Sequence, residues 1–209
     1  MDKFLYVKNI NKLEFGILSP ENIRKNSVVE ITSHDTFENN IPVVGGLFDR
    51  RLGSIENNEN CLTCFCKADK CPGHFGHIEL AKPVYNSEYL NIIKLILNCV
   101  CFRCAKLLIE PEQLIKRNIL KLKKENRIKK IISLLGSSKK VCSTKLGCGL
   151  VQPSYAKNGL SLKYEFKDDS NNEKNFLYAE YVYNLFKQIS NESCELMGLA
   201  HYCSRPEWM

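Results

Sequence analysis

Cys61-Leu62-Thr63-Cys64-Phe65-Cys66-Lys67-Ala68-Asp69-Lys70-Cys71-Pro72-Gly73-His74-Phe75-Gly76-His77 is the stretch around which the chain is built. Cys61 and Cys64 form a C-x2-C knuckle with two sulfurs on one tight turn. Cys71 and His74 form a second, C-x2-H, that adds a sulfur and an imidazole. Three thiolates and an imidazole are what tetrahedral zinc takes, and four protein ligands leave no open position for water or substrate. The spacing therefore points to a structural zinc rather than a hydrolytic one. The alternative is a group of buried thiols or a disulfide pair, and two knuckles within fourteen residues argue against it.

Working outward, the composition fits a reducing intracellular compartment. There are eleven cysteines in 209 residues, an odd number. Met1-Asp2-Lys3 opens a mixed stretch rather than an apolar signal segment, so secretion is unsupported. No apolar run approaches the ~18 residues of a membrane span. The longest, Ile92–Val100, is broken by Lys94 and Asn98, so no membrane partner is expected. The length fits one or two domains.

On the N-terminal side, Leu13–Leu18 reads as a strand. Ser19 can cap a helix whose first position is Pro20, and Val28–Thr32 reads as a second strand. His34 lies in a polar loop. Gly45, Gly46 and Gly53 frame tight turns around Leu47-Phe48-Asp49-Arg50-Arg51-Leu52, without the pattern of a phosphate loop. Arg50 and Arg51 are candidates for a nucleic-acid backbone; ion pairs to Asp49 or Glu56 are the equal alternative. His77 reads as a packing residue beside an already filled site.

On the C-terminal side, Gly76–Tyr85 reads as a strand leaving the knuckle. Ser87–Val100 reads as a mostly buried helix, with Ser87 as its cap and Glu88 near its positive end. It delivers a second C-x2-C knuckle, Cys101-Phe102-Arg103-Cys104. Pro111 then opens a long basic helix or helical pair ending near Gly136. Residues 111–145 hold eleven Lys or Arg against two Glu, more positive than the +7 of the whole chain. Lys116, Arg117, Lys123, Lys124, Lys129 and Lys130 are candidates for a nucleic-acid contact. A solvated face that keeps the protein soluble is the commoner use of such a run. Cys142 and Cys148 return two thiols, so spacing allows a four-sulfur set with Cys101 and Cys104: C-x2-C, thirty-seven residues, C-x5-C. A hairpin around Asn158-Gly159 follows, then a polar loop over 167–174. An amphipathic helix carrying Tyr178, Val182, Leu185, Phe186 and Ile189 comes next, and Asn191 can cap a short helix to Met197. Cys66, Cys99, Cys194 and Cys203 read as free thiols.

Gly46-Leu47, Asp49, Arg51-Leu52-Gly53, the Cys61–His74 cluster and the run from Cys71 to Val84 follow one another in order. That order resembles the N-terminus of the largest subunit of multisubunit DNA-directed RNA polymerases of the eukaryotic and archaeal type, closest to the RNA polymerase II form. Cys101 and Cys104 with Lys106-Leu107-Leu108, then Val141-Cys142 and Gly147-Cys148-Gly149 with Gln152-Pro153, resemble the family's second zinc site. Arg50 departs from the family, which has Pro there, and the loop between Cys142 and Cys148 is shorter than in many relatives.

The resemblance implies a clamp segment that helps close over template DNA, with two structural zinc ions at Cys61, Cys64, Cys71 and His74 and at Cys101, Cys104, Cys142 and Cys148. It implies a nucleotidyltransferase only as an assembly. The magnesium-binding Asn-Ala-Asp-Phe-Asp-Gly-Asp motif is absent here, so this chain alone should be inactive and magnesium belongs to the assembled enzyme. Partners would be the rest of the largest subunit, the second largest subunit, other polymerase subunits, the DNA template and initiation factors. The site of action would be the nucleus, or a viral particle or cytoplasm for a large DNA virus. The resemblance covers nearly all of this chain but the first portion of a subunit, implying an excised piece or a split-gene product. The expected fold is α+β: a small zinc-stapled clamp-head region with short strands and three to four helices. Residues 1–85 would carry the first knuckle, 86–155 the second zinc site, and 156–209 the hairpin and C-terminal helices. The rival reading is a stand-alone zinc adaptor for protein or nucleic acid, which cysteine spacing and a basic face would equally fit.

Overall fold

The computed structural model describes residues 13, 16–56, 58–136, 141–145, 147–166, 174–199 and 206–209. Of these, the first regular element is α1, Pro20–Asn26. Its cap is Ser19, whose Oγ accepts the Asn22 N–H at 3.1 Å, and proline stands at the start where no N–H is needed. The strand expected at Leu13–Leu18 falls partly outside the described residues, and Gly16–Leu18 are irregular.

Val28–Thr32 and Gly76–Tyr85 do not form strands. They meet in one parallel bridge, Glu30 to His77, with Val28 N–H bonded to Phe75 O, Ile31 N–H to His77 O and His77 N–H to Val29 O. The glycines and prolines around the knuckle turn the chain away before a longer ladder can form. The strands of this part are instead β1 (Phe37–Glu38) and β2 (Ile41–Pro42), an antiparallel pair closed by Asn39 and Asn40, both left-handed at φ 48° and 60°. Asparagine tolerates that region better than most residues. These elements and the first knuckle belong to one compact unit, Leu18–Pro83.

The second unit comprises Met1–Ile17 and Val84–Met209. Its centre is α2, Leu90–Leu97, whose buried residues Leu90, Ile93, Ile96 and Leu97 recur at helical spacing. Each such side chain contributes about 1.5–3 kcal/mol through burial. The helix begins two residues later than a Ser87 cap would place it. Asn86 makes a turn first, with its Oδ1 accepting the Glu88 N–H and its carbonyl the Tyr89 N–H, so Ser87 caps nothing.

The basic stretch is a helical pair, α3 (Pro111–Lys116) and α4 (Lys124–Leu135), joined by a 3-10 turn at Ile119–Lys121. Asn118 breaks the run at φ 53°. Arg127 ties the break together, donating to the carbonyls of Leu120, Leu122 and Glu195 at 2.8, 3.2 and 3.0 Å. Leu114, Ile119, Ile128 and Ile131 turn inward to the same core as α2.

Strands β3 (Ser154–Asn158), β4 (Ser161–Glu165) and β5 (Asn175–Leu177) form an antiparallel meander with Tyr155 opposite Tyr164 and Leu162 opposite Leu177. The hairpin loop is Gly159-Leu160, with Gly159 at φ 59°. The polar loop expected over 167–174 lies, except for Lys174, outside the described residues, as do Cys203, Lys139 and Lys140. Helices α5 (Ala179–Lys187) and α6 (Asn191–Met197) complete the core with Val182, Leu185, Phe186 and Met197. Ser190, not Asn191, caps α6 through the Ser193 N–H. Gly198 ends α6 at φ 84°, where a Cβ would collide with the Lys124 backbone. The fold is α+β; six α-helices appear among the described residues, the basic stretch dividing into two and short helices forming at Pro20–Asn26 and Asn191–Met197.

Candidate metal centres and basic face

Two hydrogen bonds shape each C-x2-C turn. The Cys61 N–H reaches Cys66 O at 2.9 Å, and the Phe65 N–H returns to Cys61 O at 2.9 Å. In the second knuckle the Cys101 N–H reaches Lys106 O at 2.7 Å, and the Ala105 N–H returns to Cys101 O at 3.0 Å. Backbone N–H groups of Thr63 and Arg103 also point at the Cys61 and Cys101 sulfurs, at 3.4 and 3.5 Å. Phe65 and Ala105 are both left-handed, at φ 60° and 55°. The chain thus makes the same sulfur-presenting turn twice.

Onto the first turn fold Cys71 and His74. Ligand atoms of Cys61, Cys64, Cys71 and His74 all lie within 4.8 Å of one another. Cys64 Sγ is 3.6 Å from Cys71 Sγ, and Cys71 Sγ is 3.6 Å from His74 Nε2. Cys101, Cys104, Cys142 and Cys148 form a second group within the same 4.8 Å limit. There Cys101 Sγ lies 3.5 Å from Cys148 Sγ, and Cys104 Sγ 3.7 Å from Cys142 Sγ. A tetrahedron with arms of ~2.3 Å has edges of ~3.8 Å, so these separations suit a four-coordinate ion better than thiol–thiol hydrogen bonds. Both groups could hold a metal ion, and their soft donors fit zinc.

Burial opposes ionisation of Cys61, but N–H groups of Cys64 and Thr63 and neighbouring thiols outweigh it, and its thiol is lowered to about 6. Burial pushes Cys142 up to about 12. Clustered thiols that cannot all ionise alone are the arrangement a divalent cation relieves.

The second group has polar support that spacing could not reveal. Gln152 Nε2 donates to Cys101 Sγ at 3.3 Å and to Leu150 O at 2.8 Å, while its Oε1 takes the Phe102 N–H at 2.6 Å. The Phe102 ring packs with Tyr164, Phe166 and Tyr181 at centroid distances of 5.2, 5.8 and 4.8 Å, and Tyr181 Oη donates to Phe102 O. The clue was Gln152-Pro153 in the resemblance, but no spacing assigned the amide its role.

His77 stands outside the four-ligand group. It is largely buried, with Nδ1 2.8 Å from Ser27 Oγ and Nε2 3.9 Å from Glu79. Cys66 Sγ donates to Cys64 O at 3.5 Å, and Cys99 and Cys194 are buried. His34 is exposed, 3.4 Å from Asp35.

Asp49 organises the glycine-framed loop. Its carboxylate, 3 % exposed, accepts the Gly45 N–H at 2.6 Å, the Arg51 N–H at 2.9 Å, and Arg51 Nε and Nη2 at 2.9 and 2.6 Å. The Arg51 guanidinium holds it well below the usual carboxylate range, against burial and with help from the two N–H groups. Arg50 Nε pairs with Glu59 at 3.0 Å rather than with Glu56. Arg51 is therefore engaged within the loop, and Arg50 with Glu59 and the Asn60 carbonyl beyond it. Lys116, Arg117, Lys123, Lys124, Lys129 and Lys130 are all exposed along α3 and α4.

A family profile described as "RNA polymerase Rpb1, domain 1" matches residues 7–209. The chain belongs to that family. Its sequence is 37% identical over 215 residues to "DNA-directed RNA polymerase II subunit RPB1" of Euplotoides octocarinatus, a match covering 97% of this chain and 45% of that relative. The chain therefore spans less than half the length of the curated relative it matches. Family membership agrees with the order of the Asp49 loop, the first ligand group and the second, and identifies the chain with the N-terminal region of a largest subunit.

Proposed function

We propose that this chain is the clamp segment of the largest subunit of a DNA-directed RNA polymerase and helps close over template DNA during transcription. The observation that carries the reading is the family match along residues 7–209 together with the two assembled four-ligand groups. Zinc would be held by Cys61, Cys64, Cys71 and His74 in one unit and by Cys101, Cys104, Cys142 and Cys148 in the other. When bound, it supplies cross-links between segments distant in sequence. The chain's own residues do the rest. Asp49 fixes the loop ahead of the first knuckle, and Gln152 and Phe102 anchor the second knuckle to the β3–β4 hairpin.

In this reading residues 1–85 carry the first site, 86–155 the second, and 156–209 lead into the rest of the subunit. The role is mechanical and electrostatic. Nucleotidyl transfer and its magnesium belong to the assembled enzyme, whose other subunits, DNA and initiation factors are the partners. The polymerase II relative supports action in the nucleus. Lys116, Arg117, Lys123, Lys124, Lys129 and Lys130 form the DNA-facing candidate, whereas Arg51 is engaged within its loop and Arg50 with Glu59.

Affinity purification of the tagged chain from its native source tests the reading. The second largest subunit and a polypeptide carrying the aspartate motif should accompany it. A metal-bound chain that purifies alone would instead support the zinc adaptor.

A further inference from the structure

The four sulfurs of the second group do not stand equally open. Cys101 and Cys142 are buried and Cys104 is half-buried, whereas Cys148 is exposed. Among the eight candidate ligands of the two centres it is the one exposed residue. Its neighbours in sequence give the reason. Gly147 and Gly149 flank it and carry no side chain that could cover the sulfur. The turn needs both: a Cβ on Gly147 would meet the Cys142 carbonyl, and Gly149 is left-handed at φ 75°. Beneath this turn Cys101 Sγ lies 3.5 Å from Cys148 Sγ, held by the Arg103 N–H and the Gln152 amide. The first group offers no exposed sulfur, and its fourth ligand is the His74 imidazole, which has no thiol to oxidise.

We propose that the second centre is a thiol redox switch, in which Cys148 is the sulfur a peroxide attacks and Cys101 the sulfur that resolves the product. This rests on the reading that the second group holds zinc. A metal-bound cysteine is a thiolate, and exposed thiolates are the ones that oxidise. Hydrogen peroxide reaches Cys148 from solvent; an S–O bond forms, the O–O bond breaks, and a sulfenic acid and a hydroxide result. Cys101 Sγ then attacks Cys148 Sγ, and a second hydroxide leaves as the S–S bond forms. In sum, two thiolates are oxidised by one peroxide to one disulfide, and the two hydroxides take up protons as water. Two of the four donors are then spent. Cys104 and Cys142 alone do not fill a tetrahedral shell, which releases the metal. The disulfide joins the same two ends of chain that the metal joined, so the excursion carrying α3 and α4 stays closed. A thiol reductant together with zinc rebuilds the centre from this state.

The test starts from the full 209-residue chain loaded with zinc. Metal content before oxidation checks the zinc reading by itself: a chain with no metal at the second group overturns that reading and the switch with it. A small excess of hydrogen peroxide should then release one zinc, and peptide mapping should find Cys101 joined to Cys148. A dithiol and added zinc should reverse both changes. Equal loss from the two centres, or a disulfide elsewhere in the second group, would overturn the switch while leaving the zinc reading intact. Cys148→His keeps four donors and copies the ligand set of the first group. It should hold two zinc ions yet release the second about tenfold more slowly under peroxide. Unchanged release would reject Cys148 as the point of attack. If the variant fails to hold its second ion, iodoacetamide labelling of the parent chain decides. Among the seven ligand cysteines Cys148 should be alkylated first; earlier labelling of any other would reject the assignment.

Discussion

Asp49 and Arg51 close an ion pair across a single intervening residue, with the carboxylate buried and the guanidinium 38 % exposed. The pair gives the Leu18–Pro83 unit a pH-dependent stability. The folded pKa of Asp49 is depressed below the unfolded value of about 3.9. Its stabilisation is thus fully present above that value and is lost as pH falls toward the folded pKa. Asp49→Asn removes the charge that Gly45 and Arg51 bind and should cost on the order of 1–3 kcal/mol, moderated by solvent at the arginine. Urea unfolding, with parent and variant compared at equal metal content at each pH, should show the gap between them narrowing as pH falls from about 5 to 3. A gap independent of pH would contradict the assignment.

Metal analysis of the purified chain should return two zinc ions. Cys64→Ser should lower this to one and open the Leu18–Pro83 unit to protease. Cys104→Ser should do the same for the other unit while sparing the first. Structural zinc contributes ~10–16 kcal/mol of apparent binding energy in small peptides, comparable to a domain's whole stability. Unaltered protease resistance after chelation would count against both centres.

Gln152 offers a subtler test. Its amide bonds Cys101 Sγ and the Phe102 N–H together, so Gln152→Ala should weaken zinc at the second centre by about 10–100-fold. Competition with a chelator should show one weakened site and one unchanged. Equal weakening of both would remove Gln152 as a specific support.

The exposed lysines of α3 and α4 should meet phosphate. Duplex DNA binding by the chain should fall with salt at a log–log slope of roughly −0.9 per phosphate contacted. Joint reversal of Lys123, Lys124, Lys129 and Lys130 to Glu should flatten that slope and lower affinity for all sequences alike. Crosslinking from α4 within the assembled polymerase decides whether the face meets DNA there; reaction of cleft residues without reaction of α4 would make it a solvated or subunit-facing surface.

The pairing of Cys61 with Cys64, Cys71 with His74 and Cys101 with Cys104 was legible in the sequence, because a knuckle is a local turn and its C-x2-C or C-x2-H spacing survives any tertiary arrangement. So were α1, with Ser19 and Pro20 adjacent to it, and the buried stripe of α2, whose period reflects a helix against a core. Tertiary structure decided what depends on partners distant in the chain. Glu30 and His77, forty-seven residues apart in the chain, meet in one bridge instead of a ladder. Asn118 divides the basic stretch because the left-handed turn lets Ile119 bury beside α2's core, and Arg127 collects the carbonyls this frees. The roles of Gln152 and Phe102 likewise follow from three-dimensional neighbours. Covalent spacing fixes which atoms a turn can offer; only the packed chain fixes which of them find cover.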